Sequence, residues 1–199
     1  MAITAEQVKQ LRDKTGAGMM ECKAALTEAN GNEEEAITLL RKRGLAQAAK
    51  RAGRATAQGT IGTYIHLGGR IGVMVEVNCE SDFVARTDDF NSLVKEVAMH
   101  IAAADPKWVR REDVPAEAIE KEKGIYRAQM EGQNKPANVI DKIIEGKLGS
   151  FYSQFVLLDQ PSIRDGNVTI AQVVAAASAK TGENIQISRF TRYRVGEEV

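Results

Sequence analysis

The chain has 199 residues, 43% of them hydrophobic, enough for one large domain or two to three small ones with a buried core. Lys plus Arg and Asp plus Glu each total 27, so the formal net charge is zero, which argues against bulk electrostatic binding to nucleic acid or anionic lipid. Two cysteines, Cys22 and Cys79, cannot build a disulfide framework or a four-ligand zinc site, and no stretch approaches the roughly 20 apolar residues of a membrane span.

The opening MAITAEQVKQ is a polar helix start and not a signal peptide, so the expectation is a soluble cytosolic chain with reduced thiols. Thr4 and Gln7 have capping-box spacing, and Ile3 and Val8 occupy the staple positions around them. This first helix stops at Thr15-Gly16-Ala17-Gly18. A second spans Met19 to Ala29, broken by Asn30-Gly31. A third starts at Asn32, carries Glu33, Glu34 and Glu35 in its first turn, and is expected to end at Arg41-Lys42-Arg43 before Gly44. The result is a compact three-helix module.

Met19 and Met20 follow the glycine loop directly. Either both fill the small core, or one faces solvent, because adjacent helical residues sit about 100° apart. An exposed, flexible Met suits a protein-binding surface, which makes the Gly18-Met19-Met20 corner a docking candidate. From Arg41 to Arg54 the ionisable residues are all basic. With Ala46, Ala48 and Ala49 as helix formers and no aromatics for base stacking, the stretch reads as a solvated helix and linker in preference to a nucleic-acid arm.

Residues 60–67 and 70–78 flank Gly68-Gly69 and predict a β-hairpin, with Ile71, Val73, Val75 and Val77 facing the core. The chain then passes through Cys79-Glu80-Ser81-Asp82-Phe83-Val84-Ala85-Arg86, where Ser81 or Asp82 caps a turn and Phe83 has the option of packing under the sheet. Cys79 reads as a small buried hydrophobe, and His66 and His100 as structural. A long amphipathic helix covers about 88–104. Two charged helices over 116–130 and 136–148, around Gly132-Gln133-Asn134-Lys135-Pro136, predict a projecting αα-hairpin. After a loop, Thr169 to Lys180 is helical. The last run, 184–195, reads as a third strand with Ile185, Ile187, Phe190 and Tyr193 on one side, and a one-residue slip that marks a bulge.

No phosphate-binding glycine motif, nucleophile elbow or metal-spaced Cys/His cluster occurs, and Gly16-Ala17-Gly18 is half of a dinucleotide motif set between two helices. The reading is therefore a binding protein: not an enzyme, with no catalytic residues, no metal and no cofactor. An adaptor, a nucleic-acid binder and an enzyme with dispersed groups are the rivals.

Three ordered stretches carry a resemblance over nearly the whole chain. They are Val8-Lys9 through Thr15-Gly16-Ala17-Gly18-Met19-Met20 to Ala25-Leu26, then Glu76-Val77-Asn78-Cys79 through Ser81-Asp82-Phe83-Val84 to Arg86, and the helical-hairpin run Val114-Pro115-Ala116-Glu117 with Lys142-Ile143-Ile144-Glu145-Gly146-Lys147. Gly182-Glu183-Asn184-Ile185 and Arg189-Phe190 also fit. Together they resemble the bacterial elongation factor Ts family. The resemblance implies an α+β fold: an N-terminal three-helix ubiquitin-associated-like module, then a three-stranded antiparallel sheet packed with helices and a projecting αα-hairpin. The implied boundaries are 1–45 for the module, 46–57 for a linker helix and 58–199 for the core, with the helical hairpin at about 116–148.

It further implies a guanine-nucleotide exchange factor for elongation factor Tu, acting in the cytoplasm in translation elongation. Ser81, Asp82, Phe83 and Val84 would displace Mg²⁺ from the GTPase, with Phe83 as the wedge, while Gly18, Met19 and Met20 dock on it. Ser81 stands where the family usually has Thr, which keeps the hydroxyl. The single core, where longer members have two related halves, implies a noncovalent homodimer. No direct nucleic-acid or membrane partner is expected.

Overall fold

A computed structural model of the chain describes residues 3–130 and 136–197. Thr4 caps α1 (Ala5–Thr15): Gln7 N donates to Thr4 Oγ1 at 3.2 Å, and Thr4 N donates to Gln7 Oε1 at 2.9 Å. Asn32 caps α3 (Glu33–Arg51) by accepting from Glu35 N. Together with α2 (Met19–Glu28), these helices bury Val8, Leu11, Cys22, Ala25, Leu26, Ala29 and Ala36 as one apolar cluster, against which Ile3 also packs.

α3 runs unbroken to Arg51, past the expected end before Gly44. Gly44 is not a helix stop. A Cβ there would lie 3.4 Å from the Cβ of Ala179 in α8 (Ile170–Thr181), an ordinary van der Waals contact, so the glycine sits inside the helix where α8 packs on it. At the end of α3, Arg51 donates to the Ser178 carbonyl of that helix at 3.2 Å, which also accepts from Gly182 N at 3.0 Å.

The strands β1 (Gln58–Ile65), β2 (Ile71–Cys79) and β3 (Gln186–Arg194) form an antiparallel sheet in the order β1-β2-β3. In β2, Val73, Val75, Val77 and Cys79 are buried, which follows the period-2 alternation. The burial pattern of β3 breaks after Ile187, as the slip predicts, but its second half takes the opposite phase for two residues. Tyr193 is exposed and Arg192 turns inward. The Arg192 guanidinium donates to the Ala102 carbonyl and pairs with Asp105, supplying a positive charge at the end of α5 (Asp88–Ala104), whose own last turn has none.

The chain segments cluster into two compact units. The first holds the described residues of Met1–Ile61 with Glu76–Val94 and Gln172–Ile187; the second holds Gly62–Val75, Lys95–Ala171 and the described residues of Ser188–Val199. In the second unit, α6 (Ala116–Met130) and α7 (Ala137–Phe155) pair as a helical hairpin. α7 continues seven residues beyond the expected end at 148 because Phe151 lies among Trp108, Tyr152 and Phe155, with ring centroids 5.1–6.1 Å apart. Of the expected turn, Gly132 to Lys135 lie outside the described residues.

His100 is structural, in keeping with its reading from the sequence. Gln160 Nε2 donates to the carbonyls of Gln154 (2.7 Å) and Ala104 (3.2 Å), so its Oε1 faces His100 Nε2 at 2.9 Å and accepts from it. The buried imidazole is therefore the Nε2–H tautomer, with Nδ1 unpartnered among the described residues, and burial lowers its pKa.

Candidate interaction site

The seven residues singled out from the sequence all belong to the first unit. Ser81 is the N-cap of α4 (Asp82–Ala85), accepting from Val84 N at 3.3 Å. Val84 is buried and anchors this one-turn helix, so it offers no surface of its own. Phe83, in contrast, is 77% exposed. The option of packing under the sheet is not taken. Asp82 is exposed and pairs with Arg86 at 2.7 Å. The turn closes on Thr87, whose hydroxyl donates to the Val84 carbonyl (2.8 Å) and accepts from Phe90 N (3.3 Å), joining the turn to α5.

The base of the turn is held just as closely. Glu80 N and Ser81 N each donate to Glu183 Oε2 at 3.0 Å, and Ser81 Oγ donates to Glu183 Oε1 at 2.6 Å. Cys79 Sγ donates to the Ser81 carbonyl at 3.1 Å. Burial, and then the Glu183 carboxylate, raise the Cys79 pKa, which keeps the thiol protonated and unreactive.

The second candidate begins at Gly16, the left-handed C-cap of α1 (φ +67°), whose N donates to the Arg12 carbonyl at 2.7 Å. Gly18 is the N-cap of α2 and is tied to Glu21 Oε2 by a long bond of 3.4 Å. Both methionines that follow are exposed, Met19 at 50% and Met20 at 74%. Helical geometry requires only that one be; neither enters the small core, which Val8, Leu11, Leu26, Cys22 and three alanines already fill.

Lys180 connects the two candidates, a role that sequence reasoning missed. A Cβ on Gly16 would meet Lys180 Cε at 3.0 Å, so the lysine stem lies against the glycine loop. Its Nζ donates to Asp89 at 2.6 Å, in the first turn of α5 just beyond the Phe83 turn. The signal in the sequence was slight: a basic residue in the last turn of α8, which a helix dipole explains equally well. Glu183, too, was visible only as part of a family motif, since its bonding partners lie about a hundred residues earlier.

Among the described residues no cluster of His, Cys, Asp and Glu is arranged to hold a metal ion, and no helix is long and apolar enough to cross a membrane. The Phe83 turn and the Met19-Met20 corner are thus two solvent-facing apolar corners of the first unit.

Comparison with known proteins identifies the family. The family model described as Elongation factor TS matches residues 2–197. The elongation factor Ts of Fervidobacterium nodosum is 60% identical over 197 residues, covering 99% of this chain and all of that protein. Those of Solibacter usitatus and Carboxydothermus hydrogenoformans are 58% and 55% identical over 195 residues, covering 98% of this chain and 92% and 90% of theirs. With exposed Phe83, Met19 and Met20 on its first unit, the chain belongs to the elongation factor Ts family.

Proposed function

We propose that the chain promotes guanine-nucleotide exchange by a two-point grip, with Phe83 as wedge and the Gly18-Met19-Met20 corner as dock. Its function as the nucleotide-exchange factor for elongation factor Tu in translation elongation follows from its family. Such a factor binds the nucleotide-free GTPase more tightly than the nucleotide-bound one, and reciprocity requires it to weaken the nucleotide by the same factor. No bond chemistry of its own is needed.

The observation that carries the mechanism is Phe83, an exposed aromatic on a turn capped at both ends. A rigid ring on a fixed base prises side chains apart without first losing conformational freedom. Asp82 beside it brings negative charge toward the region where the partner holds Mg²⁺, and loss of the metal removes the main countercharge on the phosphates. Ser81 and Val84 hold the turn and do not themselves push. Met19 and Met20 supply adaptable apolar contact in the ubiquitin-associated-like module at residues 1–45.

Stopped-flow release of fluorescent GDP from elongation factor Tu tests this reading. Phe83→Ala is expected to lower the maximal release rate about 10- to 100-fold, as for a hot-spot residue, with circular dichroism unchanged. Release at the wild-type rate would move the work to Asp82 and the methionine corner.

The homodimer belongs to the same proposal. The open face of the sheet exposes Thr63, Ile65, Met74, Thr191 and Tyr193, an apolar surface interspersed with threonine and without cysteine. A second copy covering it would be held noncovalently. Met74→Lys is expected to shift the protein to monomer in sedimentation equilibrium, and an unchanged dimer would exclude this face. The zero net charge and the ion pairing of Arg43 with Glu28 and of Arg54 with Glu80 support the absence of a nucleic-acid or membrane partner, and a role in translation elongation supports work in the cytoplasm.

A further inference from the structure

The hydrogen bonds at the base of the Phe83 turn are reciprocal. Glu183 accepts from Glu80 N, Ser81 N and Ser81 Oγ, while Asn184 N donates in return to Glu80 Oε1 at 2.6 Å. Two chain corners far apart in sequence therefore clasp each other. Glu183 reaches this position because Gly182, at φ +78°, turns the chain sharply after α8, where L side chains are strained. Ser178 Oγ donates to the Glu183 carbonyl and fixes its backbone. Asn184 Nδ2 donates to the carbonyls of Ala52 (3.3 Å) and Arg54 (2.9 Å), so the clasp also holds the chain leaving α3.

We infer that Glu183 is a positioning residue for nucleotide exchange. It touches no partner; it sets the direction of Phe83 through Ser81. The inference rests on the reading of Phe83 as the wedge. When the ring meets the GTPase, the reaction force passes down a four-residue helix to its N-cap. That cap is held by a carboxylate accepting three hydrogen bonds, two from backbone and one from a hydroxyl, each stronger than its neutral counterpart. Without the carboxylate, water satisfies the same donors but resists no displacement, and the ring loses its fixed approach.

The test is a double-mutant cycle on GDP release from elongation factor Tu, measured at saturating factor and across a concentration series. Glu183→Ala is expected to lower the maximal rate about tenfold, leaving the half-saturating concentration within about twofold, because the methionine corner is untouched. Glu183→Gln should recover most of the rate. Its amide oxygen still accepts from both backbone donors, and its amide nitrogen donates to Ser81 Oγ once the hydroxyl turns. In the Phe83→Ala background, Glu183→Ala should have no further effect. The same tenfold loss in that background, a wild-type rate for Glu183→Ala, or a Gln variant as slow as Ala each overturns the proposal. If the Ala variant fails to fold, Glu183→Asp takes its place: the carboxylate falls one methylene short, the expected result is a lowered maximal rate, and a wild-type rate overturns the proposal. A slow Phe83→Ala beside a fast Glu183→Ala sinks this inference alone; a fast Phe83→Ala sinks the wedge reading and this inference with it.

Discussion

The two exposed corners of the first unit are built on opposite principles. The Phe83 turn carries one rigid ring on backbone pinned by Glu183 below and Thr87 above. The methionine corner carries two flexible thioether chains after a glycine N-cap whose N donates to Glu21 Oε2 over a long 3.4 Å and whose carbonyl accepts from Cys22 N at 2.9 Å. Rigid and aromatic suits a group that must push; soft and unbranched suits one that must conform. Equal exposure of apolar surface thus does not imply an equal role, and the hydrogen bonds beneath each patch separate them.

The largest expected effect that sharpens this contrast is a split in kinetic parameters. Met19→Ala with Met20→Ala should raise the half-saturating concentration about tenfold or more, since tenfold is about 1.4 kcal/mol, with the maximal rate nearly unchanged. Phe83→Ala should do the reverse. If both variants move the same parameter, the contrast between dock and wedge collapses.

Acid provides a separate test, centred on the second unit. His100 is buried and neutral, with its pKa below 6.5, so the unfolded chain takes up the proton first as pH falls. Stability is therefore complete above the unfolded value near 6.5 and is lost as pH drops through it towards the folded value, with a slope of at most about 1.4 kcal/mol per pH unit. Urea unfolding at pH 7.5, 6.5 and 5.5 measures this, and His100→Gln should flatten the dependence. Kinetic differences between the corners belong above this range.

Smaller effects test the scaffold. Gly44→Ala places a Cβ at an ordinary 3.4 Å from Ala179 and should stabilise α3 by about 0.5–1 kcal/mol, visible as a higher Tm. A lower Tm would show that the helix approach has no room for a methyl group. Smallest is Arg86→Ala: its pair with Asp82 is exposed and should be worth under about 0.5 kcal/mol in stability. A larger loss would mean that the pair, and not the clasp, fixes the turn.

Local chemistry was legible in advance wherever both partners lie within a few residues. The Thr4–Gln7 capping box, the Asn32 cap, the alternation of Val73, Val75 and Val77, and the break in the alternation of β3 are of this kind. Long-range demands were not. A glycine that ends a helix and one that lies inside it look identical, which is why Gly44 misled. Tyr193 is the more hydrophobic choice for the inside, yet Arg192 goes in because the end of α5 needs a cation. The charged pattern of the second hairpin helix stops at 148, but an aromatic cluster of Phe151 with Trp108 and Phe155 carries α7 on to Phe155. The resemblance singled out Phe83 and the methionines, while their exposure and the bonds of Glu183 and Lys180 required coordinates.

The unbroken α3 has a consequence for avidity. A helix of 19 residues, closely approached by α8 at Gly44 and bonded to it at Arg51, has no slack of the kind a flexible linker introduces. On the two-point reading, once the methionine corner lands on the GTPase, the effective concentration of the Phe83 ring at its own target is set by geometry and not by a search through linker conformations. The second contact then forms without diluting the first, and either corner alone can bind weakly enough to let go.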